Sequence, residues 1–301
     1  MIIINLMGGL GNQMFQYATA KHLSIINETE LKIDTSNFRK LTLNKEHTFQ
    51  LADFNISAQQ TSRGEIWKIV RPANPLARIV GSALGLSPLK SKSNTIFREP
   101  EGSAFKPCIL DIKADSYLIG YFNSYKYFDT IRNVLIDEFT PRKEISLQGR
   151  DMLMSIESSN SVSLHIRRGD YVDSPDVYKC VEGIITDRFY HNAVALIASK
   201  VVAPHFFVFS NDMTWVRENF RIPYQTTFVD FNTALRGYED LWLMSKCKHN
   251  ITAGGSTFSW WAAYLNQNDN KIVVRTEQVS NDAKYNYPTD YFPSGWETVE
   301  S

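Results

Sequence analysis

Cysteine is scarce in this chain of 301 residues: Cys108, Cys180 and Cys247 are three in number and far apart. An odd, dispersed set excludes a disulfide framework and a Cys-x-x-Cys metal knuckle, and points to a reducing compartment. An excess of one charge is also missing. Lys plus Arg and Asp plus Glu each total 32, which argues against a general nucleic-acid partner. No apolar run approaches the roughly 18 residues of a membrane span. The start, residues 1–7, lacks a basic region and runs directly into a glycine turn, so it reads as a core strand and not as a signal peptide. There is no Asp-x-Asp element and no His/Cys ligand cluster, so no metal is expected. Repeats and low-complexity tracts are absent as well. What is present is 43% apolar and 21% charged residues, enough for a packed core. The length allows two domains of about 150 residues each. The expectation is a cytoplasmic globular protein.

Residues 2–7 form a short β-branched run that ends in Gly8-Gly9-Leu10-Gly11-Asn12-Gln13. A helical pattern follows, with Met14, Tyr17, Ala18 and Ile25 on one stripe. Strand, glycine turn and helix open a doubly wound α/β unit and bring backbone N–H groups to a polar or anionic ligand. Met14 stands where a dinucleotide fingerprint needs its third glycine, and no Gly-Lys-Ser/Thr makes a P-loop. A plain tight turn is the alternative. Residues 61–92 are locally basic, with Arg63, Lys68, Arg71, Arg78, Lys90 and Lys92 against Glu65. They read as a solvated helical face or as a surface for an anionic membrane. A strand at 116–120 leads into an aromatic stretch, residues 121–128, suited to sugar faces or to core packing. The domain boundary is expected within residues 141–149, giving domains 1–145 and 146–301.

In the second half, strand-like runs at 162–167, 206–210, 227–230, 250–253 and 272–275 alternate with helical patterns, which implies a second parallel sheet. Ligands of such sheets bind beyond the carboxyl ends of the strands, so three strand ends matter most. The first is His165-Ile166-Arg167-Arg168-Gly169-Asp170-Tyr171. A guanidinium at a buried strand end is costly without an anion and suits phosphate oxygens, so Arg167 with Arg168 reads as a pyrophosphate clamp or as an internal salt bridge with Asp170. The second is Ser210-Asn211-Asp212, helix-capping residues or ligand contacts. The third, Gly254-Gly255-Ser256-Thr257-Phe258, is a phosphate cradle or a simple helix start. Upstream, Glu239 and Asp240 either cap a helix or accept hydrogen bonds from a guanine edge.

These segments, together with Gly120-Tyr121-Phe122 and Ser259-Trp260-Trp261, resemble the motif series of the bacterial α-1,2-fucosyltransferases of glycosyltransferase family 11 in order and spacing over nearly the whole chain. The His-x-Arg-Arg-x-Asp element is shared with α-1,6- and protein O-fucosyltransferases; the glycine-rich ends are more specific. The resemblance implies a GT-B-type α/β fold, two Rossmann-like doubly wound domains facing a central cleft, with the acceptor side in the first and GDP-fucose in the second. It implies inverting transfer of L-fucose from GDP-β-L-fucose to the 2-hydroxyl of a terminal galactose, without metal or other cofactor. Carried over by motif, Arg167 holds the β-phosphate, His165 and Phe258 lie near the nucleotide, Ser256 and Thr257 bind phosphate, and Asp240 reads the guanine. Arg168, Ser210 and Asp212 complete the donor set, with Asn12 approaching the fucose or its phosphate from the first domain. Tyr121 and Asn123 are the acceptor-side residues, although relatives commonly have Gln where Asn123 stands. For the proton of the acceptor hydroxyl, Asp170 or Asp173 is the candidate base, because Pro175 stands where the α-1,6 relatives have a glutamate. The expected partners are GDP-fucose and a galactose-terminated acceptor of a surface polysaccharide or O-antigen, lipid-linked in one version, which would bring the enzyme to the inner face of the bacterial membrane. The alternatives are another linkage or acceptor, or a GDP-sugar-binding protein without turnover.

Overall fold

Four consecutive side chains of the first strand, β1 (Ile2–Asn5), are buried, as expected of a parallel strand covered on both faces. In the computed structural model, residues 1–40, 48–70, 95–102, 104–168 and 174–301 are described. They divide into two units. One comprises Met1–Leu51, Ile56–Glu101 and Phe105–Val134; the other comprises Ala52–Asn55, Gly102–Ala104 and Leu135–Ser301. The sequence places the domain boundary at 145/146, whereas the units part between Val134 and Leu135.

In the first unit, β1 is followed by α1 (Leu10–Ile26), β2 (Leu31–Asp34), α2 (Ser36–Lys40), β3 (Gln59–Gln60), α3 (Arg63–Ile69), β4 (Ile96–Arg98) and β5 (Ser116–Ile119). The sheet order is β3-β2-β1-β5-β4, and every pair is parallel. The chain reverses its direction of travel across the sheet between β1 and β5, so their carboxyl ends form the switch point where such sheets bind ligands. Met14, Tyr17 and Ala18 of α1 enter the core, but Ile25, expected on the same stripe, is 43% exposed in the last turn. Helix α3 begins with a reciprocal cap in which Ser62 and Glu65 satisfy each other's backbone N–H groups.

Helix α4 (Arg132–Glu138) crosses the division between the units. The second unit then runs α5 (Leu147–Glu157), β6 (Asn160–Ile166), α6 (Pro175–Val181), α7 (Asp187–Lys200), β7 (Pro204–Ser210), α8 (Met213–Asn219), β8 (Gln225–Val229), α9 (Gly237–Lys246) and β9 (His249–Ile251). It closes with α10 (Thr257–Leu265), β10 (Val273–Thr276), α11 (Pro288–Tyr291) and β11 (Glu297–Val299). All neighbours in the order β11-β10-β9-β6-β7-β8 are parallel. Counted from β6, this is the nucleotide-binding order 3-2-1-4-5-6, with its switch point between β6 and β9. The three-residue β11 is too short to carry an alternation, and the sequence reading missed it.

The core of this unit joins Val162, Leu164 and Ile166 of β6 to Phe189, Ala193 and Ile197 of α7 and to Phe206 and Val208 of β7. Trp260 and Trp261 of α10 are fully buried. The Trp260 ring stacks on Tyr264 at 4.8 Å, and its indole N–H donates to the Tyr291 carbonyl at 2.8 Å. The tryptophan pair is therefore core and anchors the helix behind the glycine turn. Among the described residues no helix is long and apolar enough to cross a membrane.

Candidate functional site

The switch point of the second unit gathers several of the expected donor residues. At the end of β6, His165 is only 4% exposed and its Nδ1 has no hydrogen-bond partner. Burial, with Arg167 nearby, lowers its pKa to about 3, so the ring is neutral at physiological pH. Phe258 lies beside it, with ring centroids 5.6 Å apart. A Cβ at Gly237 would meet Phe258 Cε2 at 3.8 Å, which puts the start of α9 against the same ring. Arg167, the next residue beyond the strand, is half-buried.

From β9 the chain passes through Gly254 and Gly255 into α10. Gly255 sits at φ +69, and a side chain at Gly254 would strike Thr276 Oγ1 at 2.5 Å, so the tight approach needs glycine at both positions. Ser256 is the N-cap residue, yet no side chain caps the helix. Its first-turn N–H groups and positive dipole end are left for an anion.

Asp240, in the first turn of α9, accepts from Asn232 Nδ2 at 2.7 Å, while Asn232 Oδ1 is buried without a partner. Burial pushes the Asp240 carboxyl up to about 7; the Asn232 hydrogen bond opposes this and the Glu239 charge adds to it. Its neighbour Glu239 has a different task. Fully buried, it accepts from the Ser146 N–H at 3.1 Å and hydroxyl at 2.5 Å and pairs with Arg236, tying α9 to the start of α5.

The end of β7 is occupied by contacts within the unit. Asn211 Oδ1 accepts from the Arg168 backbone N–H at 2.9 Å, and Asp212 caps α8 through the Trp215 N–H at 3.2 Å. Ser210 Oγ accepts from the Asp212 N–H at 3.0 Å. The Arg168 guanidinium lies 3.5 Å over the Trp215 ring and 3.5 Å from Asp212 Oδ2. In the structure Arg168, Ser210 and Asp212, all expected to touch the donor, also stitch β6 to β7 and α8. Asp170 and Asp173 lie outside the described residues, as do Arg71, Arg78, Lys90 and Lys92 of the basic stretch.

In the first unit, the turn after β1 is pegged from beneath. The fully buried Gln16 returns both polar atoms to Met7, receiving its N–H at 2.9 Å and donating to its carbonyl at 3.1 Å. Gln13, also fully buried, donates to the carbonyls of Gly8 (3.0 Å) and Thr48 (2.8 Å) and receives the Gln50 N–H at 3.0 Å. Gly8 adopts φ +75, and a Cβ there would lie 2.8 Å from Asn12 Nδ2, so the half-exposed Asn12 packs directly over the turn. At the neighbouring end of β5, Tyr121 is 44% exposed and Asn123 Oδ1 is buried without a partner. The carboxylate beneath this turn, Glu99, is one the sequence reading did not single out.

An orphaned imidazole nitrogen, an arginine and an uncapped helix start at a Rossmann switch point define a site for an anionic nucleotide-type ligand. Comparison with known proteins sharpens this class. The family model described as "Glycosyl transferase family 11" matches residues 65–300. An alpha-1,2-colitosyltransferase of Escherichia coli is 32% identical over 282 residues, covering 91% of this chain and 90% of that protein. The O-antigen biosynthesis glycosyltransferase WbnK of Escherichia coli is 31% identical, covering 89% and 91%. A galactoside alpha-(1,2)-fucosyltransferase 2 of Hylobates lar is 34% identical over 164 residues, half of this chain and 46% of that one. Among solved structures, POFUT1 in complex with GDP-fucose superposes with a TM-score of 0.53 at 11% identity, over 92% of this chain and 98% of that one. That likeness speaks to the fold, which is of the GT-B type. The chain belongs to glycosyl transferase family 11 and is a glycosyltransferase of the fucosyltransferase kind.

Proposed function

We propose that this enzyme transfers L-fucose, with inversion, from GDP-β-L-fucose to the 2-hydroxyl of a terminal galactose during synthesis of a bacterial surface polysaccharide. The observation that carries the reading is the second unit's switch point: Arg167 follows β6, α10 starts uncapped after β9, and the buried His165 Nδ1 between them lacks a partner. In the reaction the fucose C1–O bond to phosphate breaks through an oxocarbenium-like state, and its electron pair passes to the departing GDP. Arg167 and the N–H groups at the start of α10, from Ser256 to Phe258, stabilise that charge. Neutral His165 offers a hydrogen bond and adds no competing charge, Phe258 packs near the base, and Asp240 reads the guanine N–H edge. The acceptor oxygen attacks C1 from the opposite face and its proton passes to a carboxylate, Asp170 or Asp173. Asn12 approaches the fucose, and Tyr121 and Asn123 contact the acceptor. No metal enters this scheme. A lipid-linked acceptor and a cytoplasmic location at the membrane face complete it.

The test is GDP release from GDP-fucose, with and without lactose, in EDTA, for wild type and Arg167→Ala. Lactose-dependent release that survives EDTA and is lost in the variant is the expected result; absence of donor binding overturns the reading. A second reading concerns the donor sugar alone. The similarity to an alpha-1,2-colitosyltransferase along nearly the whole chain favours testing GDP-colitose, whose sugar is fucose without its 3-hydroxyl. Faster transfer from GDP-colitose than from GDP-fucose would replace the donor and leave the site unchanged.

A further inference from the structure

The carboxylate of Glu99 reaches from the edge of the first unit's sheet to the turn after β5. Its Oε2 accepts the N–H groups of Tyr121 at 2.7 Å and Phe122 at 2.9 Å, while its own N–H continues the β4–β5 ladder to the Ile119 carbonyl at 2.8 Å. The chain makes room for it: a Cβ at Gly120 would lie 2.4 Å from Glu99 Cβ and 2.7 Å from Oε2. Phe122 is held in the left-handed region at φ +53, a strained setting for a bulky residue, with its ring fully buried against Tyr127. Next to this clamp in the chain stand the exposed Tyr121 and Asn123, whose buried Oδ1 has no partner. A buried acceptor atom without a donor calls for one from outside the chain, and a sugar hydroxyl supplies it.

We propose that Glu99 is a positioning residue for the acceptor sugar: it locks residues 120–123 in the conformation that presents Tyr121 and Asn123 Oδ1 to a hydroxyl-bearing glycan. The inference rests on the acceptor role of that turn given above. Burial raises the Glu99 pKa against the pull of its two backbone donors and of Lys106, so the group is held at an electrostatic disadvantage in order to make these two bonds. Its Oε1 has no hydrogen bond among the described residues. A glutamine can therefore reproduce the clamp with its amide oxygen, and an alanine cannot.

Steady-state kinetics with lactose varied at saturating GDP-fucose, together with calorimetric GDP affinity, test this for Glu99→Ala, Glu99→Gln, Tyr121→Ala and Asn123→Ala. The expected result is a rise of at least tenfold in the lactose KM for Glu99→Ala, GDP affinity within twofold of wild type, and Glu99→Gln within threefold of wild type in both. The inference is overturned if Glu99→Ala leaves the lactose KM unchanged while Asn123→Ala raises it. It is equally overturned if Glu99→Gln fails as badly as the alanine, or if GDP affinity falls in parallel. If neither Tyr121→Ala nor Asn123→Ala moves the lactose KM, or wild type shows no lactose-dependent turnover, the acceptor reading of the turn has failed and this inference falls with it.

Discussion

Two glycine turns, after β1 and after β9, lie at the switch points of the two sheets; both lead into a helix without a side-chain cap, and they differ in what supports them from beneath. After β1 in the first unit, Gln13 and Gln16 satisfy the turn's backbone groups from within the protein, and Glu99 does the same for the turn after β5. After β9 in the second unit, Ser259 Oγ accepts the Ala253 N–H at 3.2 Å, and beside the start of α10 His165 Nδ1 is buried without a partner. A turn closed by its own side chains is a rigid platform. A helix start beside a buried ring nitrogen without a partner is a place where a ligand completes the structure. In the proposed function the first unit presents surfaces formed in advance, and the second holds the charged donor.

The sharpest way to break this contrast is at Arg167. If the proposed function holds, Arg167→Ala removes the charge that stabilises the leaving phosphate, and kcat/KM falls by about 10³-fold or more, roughly 4 kcal/mol. Closing the open turn gives the next largest effect. Ser256→Asp supplies the missing cap to α10, which stabilises the free protein by about 0.5–2 kcal/mol while setting a carboxylate where the proposed function puts the phosphate. GDP affinity then drops by about 100-fold as the melting temperature rises, an opposition that thermal shift and calorimetry read directly.

Asp240 sharpens the comparison through pH. Its folded pKa of about 7 lies above the ordinary 3.8, so the folded state holds a proton between about pH 4 and 7 that the unfolded chain has lost. Stability from this group is therefore intact below about pH 4 and declines as pH rises through 7. Guanine N–H donors favour the ionised form, so GDP affinity rises over the same window. Asp240→Asn is expected to weaken GDP binding about tenfold at pH 8, to flatten its pH dependence, and to raise the melting temperature at pH 8 but not at pH 4. The smallest functional effect is expected in the first unit. Gln16→Leu strands the Met7 N–H and carbonyl, costs about 2 kcal/mol in chemical denaturation, and leaves GDP affinity unchanged.

Much of this arrangement is legible in the sequence. The strand, turn and helix at each end of the chain, the parallel sheets, and the convergence of His165, Arg167 and Phe258 follow from β-branched runs closing in glycines and polar residues. What is not legible depends on partners distant in sequence. Glu99 supports a turn more than twenty residues downstream, across a β4–β5 pairing that no local pattern announces. The Trp215 ring under the Arg168 guanidinium comes from a different element, and no local pattern announces that contact. Glu239 and Asp240 are adjacent acids in one helical turn, and only packing separates them: one meets Ser146 and Arg236, the other Asn232. Trp260 and Trp261 belong to the motif series and are sealed in the core, so their part in it is packing.

The most direct test of the central claim is calorimetric titration of GDP into wild type, Arg167→Ala and Ser256→Asp, in EDTA at pH 8, with melting temperatures measured on the same samples. The account predicts metal-independent binding to wild type, at least 100-fold weaker binding to both variants, and a higher melting temperature for Ser256→Asp. Equal GDP affinity in all three proteins would contradict it.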